Sequence, residues 1–168
     1  MVPERVVGIT LNGLIAATQQ QNEGLLRTHV VDNPLTERGA QLMWAWTRIV
    51  QTGGLTAPAA VRNRETIDTL LAGEHWHWGY RAVFTHDLDA RLAQVECPAF
   101  LICASEDRAI KYMERAQAAL PNAKVCTPEG GVFYIQVETD VFSPVLLDFL
   151  ASAELPRSAR DAAPRPRG

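Results

Sequence analysis

Asp107 is the first residue of this chain to suspect of chemistry. It follows the apolar run Ala99-Phe100-Leu101-Ile102-Cys103-Ala104 through Ser105-Glu106, and it precedes a helical pattern. A strand buried on both faces reads as such a continuous apolar run, because a parallel sheet covered by helices needs no polar alternation. Open α/β sheets place ligand-binding and catalytic groups just beyond the carboxyl ends of their strands. The same aspartate also suits the N-cap of a helix starting near Ala109, for purely local reasons. Both readings stand on the sequence.

Other reactive side chains give weaker signals. Ser105 lies in the same turn but lacks the flanking glycines that let an elbow serine take its strained backbone. Cys103 and Cys126 read as small buried residues. His75 and His77 flank Trp76 in Glu74-His75-Trp76-His77-Trp78. Residues two apart on a helix face different ways, and no Cys or further His stands at ligand spacing. No metal site and no cofactor are expected. Trp46, Trp76 and Trp78 are the candidate lining of an apolar substrate entrance, although tryptophans of this size also serve cores and interfaces. His86 is a conceivable displaced base, but no sequence feature ties it to Asp107.

The elements that must position these residues can be read from the periodicity. Arg5 to Gly13 predicts a strand ending in a glycine turn, with Val6–Leu11 as its body. Thr36 to Val50 predicts a helix with Leu42, Trp46, Ile49 and Val50 on its apolar side. Pro58 opens another helix through Leu71, and shorter pieces follow at Tyr80–Phe84 and Leu88–Val95. Phe100–Ala104 and Lys124–Thr127 complete a sheet of three short strands. Ala109–Leu120 is a helix with Ile110, Met113, Ala116 and Leu120 on one face. Glu129-Gly130-Gly131 is a turn. Thr139–Leu150 is the last helix, with Phe142, Val145, Leu146 and Phe149 inward. Strand, helix, strand, loop and helix in this order form an α/β unit with right-handed crossovers.

From Arg91-Leu92 to Leu150 the chain resembles the C-terminal part of an α/β-hydrolase. The resemblance is carried by Arg91-Leu92, Cys97-Pro98, the apolar strand with its acidic turn, Leu120-Pro121-Asn122-Ala123, the Gly130-Gly131 turn and the closing Phe149-Leu150. Trp78-Gly79-Tyr80-Arg81-Ala82-Val83-Phe84 resembles the segment leading out of the cap in some bacterial members. The resemblance implies a three-layer sandwich with a short, mostly parallel sheet, truncated relative to the family. It implies one partial domain over residues 1–152 with a helical cap over about 14–92; the Pro-, Arg- and Ala-rich composition after Leu155 points to a disordered tail over 153–168. The resemblance implies Asp107 as triad acid. The family's histidine position falls, without gaps, on Val132, which cannot carry a proton. The family's Gly-x-Ser-x-Gly elbow is not found in these residues.

Composition narrows the classes further. At 168 residues, 47% hydrophobic and 21% charged, the chain can bury a real core. Net charge is −3; four arginines and one aspartate after Leu155 contribute +3, which leaves −6 over the rest. That balance excludes a nucleic-acid footprint, and no apolar run is long enough to cross a bilayer. Three cysteines without a disulfide pattern point to the cytoplasm. Two functions follow as expectations. One is a remnant without a complete triad, binding a ligand, such as a small apolar molecule, or a partner. The other is a hydrolase of a small ester or amide whose site another chain completes. The bare edge of the first strand predicts a homodimer or a partner chain carrying the N-terminal half.

Overall fold

The apolar run found in the sequence is the middle strand of the sheet. In the computed structural model, which describes residues 6–53 and 57–153, β2 (Ala99–Ile102) is buried along its whole length. It pairs in parallel with β1 (Ile9–Asn12) on one side and β3 (Lys124–Cys126) on the other. Leu101 stands opposite Leu11 and Val125. A central strand covered on both faces has no reason to alternate; β1, at an edge, does alternate, with Ile9 and Leu11 turned inward and Thr10 and Asn12 exposed.

Two apolar cores lie on the two faces of this sheet, which makes three layers. On one face Ala99 and Leu101 pack with Ala16, Ala17, Leu92, Tyr112, Ala116 and Leu120. These come from α5 (Leu88–Leu92), α6 (Met113–Ala119) and the segments beside them. On the other face Phe100, Ile102 and Ala104 pack with Tyr134 and Phe149. Here α7 (Tyr134–Val137) and α8 (Thr139–Ser152) form the outer layer. The Phe100 and Phe149 rings sit 5.2 Å apart, and burying each such ring contributes about 2 kcal/mol. Phe142, Val145 and Leu146 face inward as the periodicity predicts.

The remaining helices form a block between β1 and β2: α1 (Gln19–His29), α2 (Ala40–Gly53), α3 (Ala59–Ala72) and α4 (Trp78–Thr85), joined through α5 to the sheet. α1 starts at a capping box, in which the Thr18 hydroxyl accepts from the Gln21 amide and the Gln21 side chain accepts from the Thr18 amide. α2 opens later than the sequence suggests. Thr36 and Gly39 first close a turn, and the Thr36 hydroxyl accepts from the Ala40 amide at 3.0 Å. Its buried side is Ala45 and Ile49, whereas Leu42 is exposed.

Other boundaries shift for local reasons. β1 starts at Ile9 and not at Val6, because pairing begins where the Ile9 amide reaches the Pro98 carbonyl. The stretch after Asp107 begins as a 3-10 turn, Arg108–Tyr112, before α6. α7 lies in what the sequence reads as loop. The expected tail lies outside the described residues apart from Ala153, which is buried and bonds the Phe149 carbonyl.

Candidate functional site

The carboxyl ends of the three strands converge on one corner. After β1 the Gly13 amide donates to the Ile102 carbonyl at 2.8 Å. After β2 the turn Ala104–Asp107 closes on itself, with the Asp107 amide on the Ala104 carbonyl at 3.1 Å. The loop after β3 is tied to that turn by main-chain bonds: Ser105 donates to Pro128 and Glu106 to Gly130, both at 2.9 Å. Gly130 has φ +122°, a conformation that side chains rarely adopt. Val132 follows in this loop, half-buried.

Asp107 is buried in the corner. Its Oδ1 accepts the Ala109 amide at 2.8 Å, so it caps the 3-10 turn that follows. Its Oδ2 faces Gly13, 3.5 Å from where a Cβ would stand there. No described residue hydrogen-bonds that second oxygen, so the cap uses half of the carboxylate. None of the four histidines hydrogen-bonds Asp107.

Two further proton-holding groups share the corner. Tyr134 is buried, and its hydroxyl donates to Asn12 Oδ1 at 2.8 Å. Burial first, then the neighbouring Cys126, Cys103 and Asp107, push its phenol far above the ordinary range. Burial, and then Asp107, push the Cys103 thiol up to about 11. Cys103 thus holds its proton at neutral pH, in the less nucleophilic thiol form. Sequence reasoning missed Tyr134 and Asn12 as members of this corner. The available signal was a tyrosine three residues after the Gly130-Gly131 turn and an asparagine at the end of β1.

Between this corner and the helical block lies a cavity of about 190 Å³, lined by Gly53, Ala57, Glu106, Gly130, Tyr134 and Glu138 among others. A groove of about 510 Å³ shares Glu106, Gly130, Tyr134 and Glu138 with it and continues past Glu129 to Phe142. Carboxylates line both, and among the described residues no basic side chain does. The helical block is latched over the corner. The Phe133 ring rests on Gly53, where a Cβ would come within 2.0 Å of the ring. Gln136 donates to Glu65 at 2.7 Å and accepts from Arg64. Arg108 donates to the Gln51 carbonyl at 2.7 Å.

The three tryptophans do not share this cavity. Trp76 packs on Trp44 (4.7 Å) and Tyr80 (5.8 Å), Trp46 lies under the Arg62 guanidinium (5.5 Å), and Trp78 is exposed and stacks on His75 (4.1 Å). His77 is buried and its Nδ1 has no partner, whereas His75 points outward. His86 lines a separate cavity of about 530 Å³ between α1 and the α4–α5 junction. No described helix is long and apolar enough to cross a membrane.

No family model matches this sequence, and no curated protein does. Solved structures do match. A bromoperoxidase from Bacillus anthracis superposes with a TM-score of 0.65 at 14% identity, over 86% of this chain and 58% of that one. An esterase from Exiguobacterium antarcticum gives 0.66 at 12%, over 88% and 58%. A hydrolase from Pseudomonas aeruginosa gives 0.63 at 20%, over 90% and 58%. These are α/β-hydrolases, and the chain spans about 58% of their length. The helix-sheet-helix layers and the parallel order β1-β2-β3 are thus those of a truncated α/β-hydrolase-like fold, as the sequence resemblance implies.

Proposed function

We propose that this chain is a recognition module on an α/β-hydrolase scaffold, binding a small ligand or a partner without turning over an ester. One observation carries the reading. The loop after β3 is pinned to the Asp107 turn by main-chain bonds, and the side chain at the family's histidine position is Val132. An aliphatic side chain cannot take a proton from a nucleophile. The serines of the chain, Ser105, Ser143, Ser152 and Ser158, stand in no Gly-x-Ser-x-Gly elbow. The cavity beside Glu106 supplies the binding volume, and the Trp-bearing helices would shape its approaches. Purified protein is expected to leave p-nitrophenyl acetate and butyrate at the background rate, with or without Val132→His. Turnover that disappears in Asp107→Asn would sink this reading.

A second reading has its own support: a hydrolase of a small ester or amide completed by another chain. Ile9 donates its amide to Pro98, just before β2, and Gly13 to Ile102 at its end, so by strand alternation Thr10 and Asn12 turn theirs to the other edge. α8 also carries Val141, Leu147 and Leu150 outward. A bare strand edge beside an apolar helix face suits a homodimer or an N-terminal partner chain. Light scattering after size exclusion separates the cases: a monomer with a cooperative melt supports the module, whereas a dimer with esterase activity supports the second reading.

A further inference from the structure

The chain is acidic overall, yet Arg48, Arg108 and Lys111 all lie near enough to one histidine, His29, for their charges to reach it, at the junction of the helical block and the strand ends. His29 ends α1 and packs on Tyr80 and Phe84, each ring centroid 5.7 Å away. The Arg48 guanidinium lies over the same Tyr80 ring at 5.1 Å and over Trp76 at 4.4 Å. Arg108 is bound to the Gln51 carbonyl, one turn along α2 from Arg48. Lys111 follows Arg108 by three residues in the 3-10 turn, where such residues share a side.

None of these cations has a carboxylate partner among the described residues. Among the described residues the ion pairs are Arg115–Asp89 and Lys124–Asp148. Arg48 and Lys111 donate no hydrogen bond to a described residue, and Arg108 donates one, through a single nitrogen. A guanidinium has five donors in a fork that matches carboxylate and phosphate oxygens. We propose that His29, Arg48, Arg108 and Lys111 form a binding site for the oxyanion of a small ligand, a carboxylate or a phosphate.

The imidazole completes the site. Its Nδ1 lies 3.2 Å from the Leu25 carbonyl and 2.8 Å from the Thr28 hydroxyl. With Nδ1–H donated to Leu25, Nε2 is left to take up a proton and turn donor. Burial, and after it the charges of Arg48, Arg108 and Lys111, hold the His29 pKa below its ordinary value, against the pull of the Leu25 hydrogen bond. An arriving anion removes the unfavourable part of that field, so binding and protonation of His29 favour one another. This site shares no residue with the acidic cavity beside Glu106, and it stands whether or not the chain hydrolyses anything.

The test follows the His29 imidazole proton resonances by NMR while inorganic phosphate and acetate are added separately at constant ionic strength. Saturable shifts are expected, with the His29 pKa rising on binding. Phosphate binding tighter than acetate marks a phosphate site, and the reverse order marks a carboxylate site. Arg108→Gln with Lys111→Gln should weaken binding about tenfold or more. Lys111→Gln alone, at an exposed side chain without hydrogen bonds, should weaken it by a smaller factor with the fold intact. No saturable shift with either anion, or equal affinity in both variants, overturns the proposal and leaves Arg48 as a strut between α2 and α4.

Discussion

Replacing Asp107 separates the cap from the charge. Asp107→Ala removes the acceptor of the Ala109 amide, and Ala109 is itself buried. Losing an N-cap acceptor costs about 1 kcal/mol, and leaving a buried donor unpaired raises that to about 2. For a chain of this size each kcal/mol moves the midpoint by about 2–4 °C, so Asp107→Ala should melt about 4–8 °C lower. Asp107→Asn keeps an oxygen at the Oδ1 position and loses only the charge, so it should melt within about 2 °C of the parent. Urea unfolding followed by circular dichroism, with equal slopes for all three proteins, measures the differences. If Asn costs as much as Ala, the carboxylate's charge and not its acceptor oxygen holds the turn, and the capping argument fails.

Gly53→Ala puts a methyl group within 2.0 Å of the Phe133 ring and should cost about 1–3 kcal/mol; a double-mutant cycle with Phe133→Ala should recover most of that loss. Tyr134→Phe removes the hydrogen bond to Asn12 and should cost about 1 kcal/mol in a thermal melt. The Cys103 thiol, at about 11 in the fold against 9.0 for a free thiol, gives stability that is complete below pH 9.0 and is lost as pH rises towards about 11. The loss amounts to about 2–3 kcal/mol. Urea midpoints measured across that range should fall in the parent and fall less in Cys103→Ala. At neutral pH an aromatic disulfide reagent should leave Cys103 unmodified in the native protein.

The strands were legible because their burial differs in kind. β2 is covered on both faces and its apolar run admits no other reading, while β1 alternates because one of its faces is open. α3 was legible from Pro58 and Gly73, which do bracket it. α1 was not read as a separate helix, since it has no buried residue and its apolar signal is weak; its capping box, Thr18 to Gln21, was the usable sign. α7 was missed because four residues carry no period. Within the site, Asp107 was legible from its place after a strand, and its capping reading is what the geometry shows, through Oδ1. His29, Arg48, Arg108 and Lys111 were not, because three separate elements bring them together and no spacing along the chain records it.

The corner after β3 is held by amides and carbonyls, Ser105 to Pro128 and Glu106 to Gly130. Every residue type except proline brings those same groups, so outside Gly130, whose φ of +122° suits glycine, exchange of side chains in the loop leaves its path intact. The frame and the chemistry are therefore separately heritable. A change of side chain at position 132 leaves the frame of this corner standing.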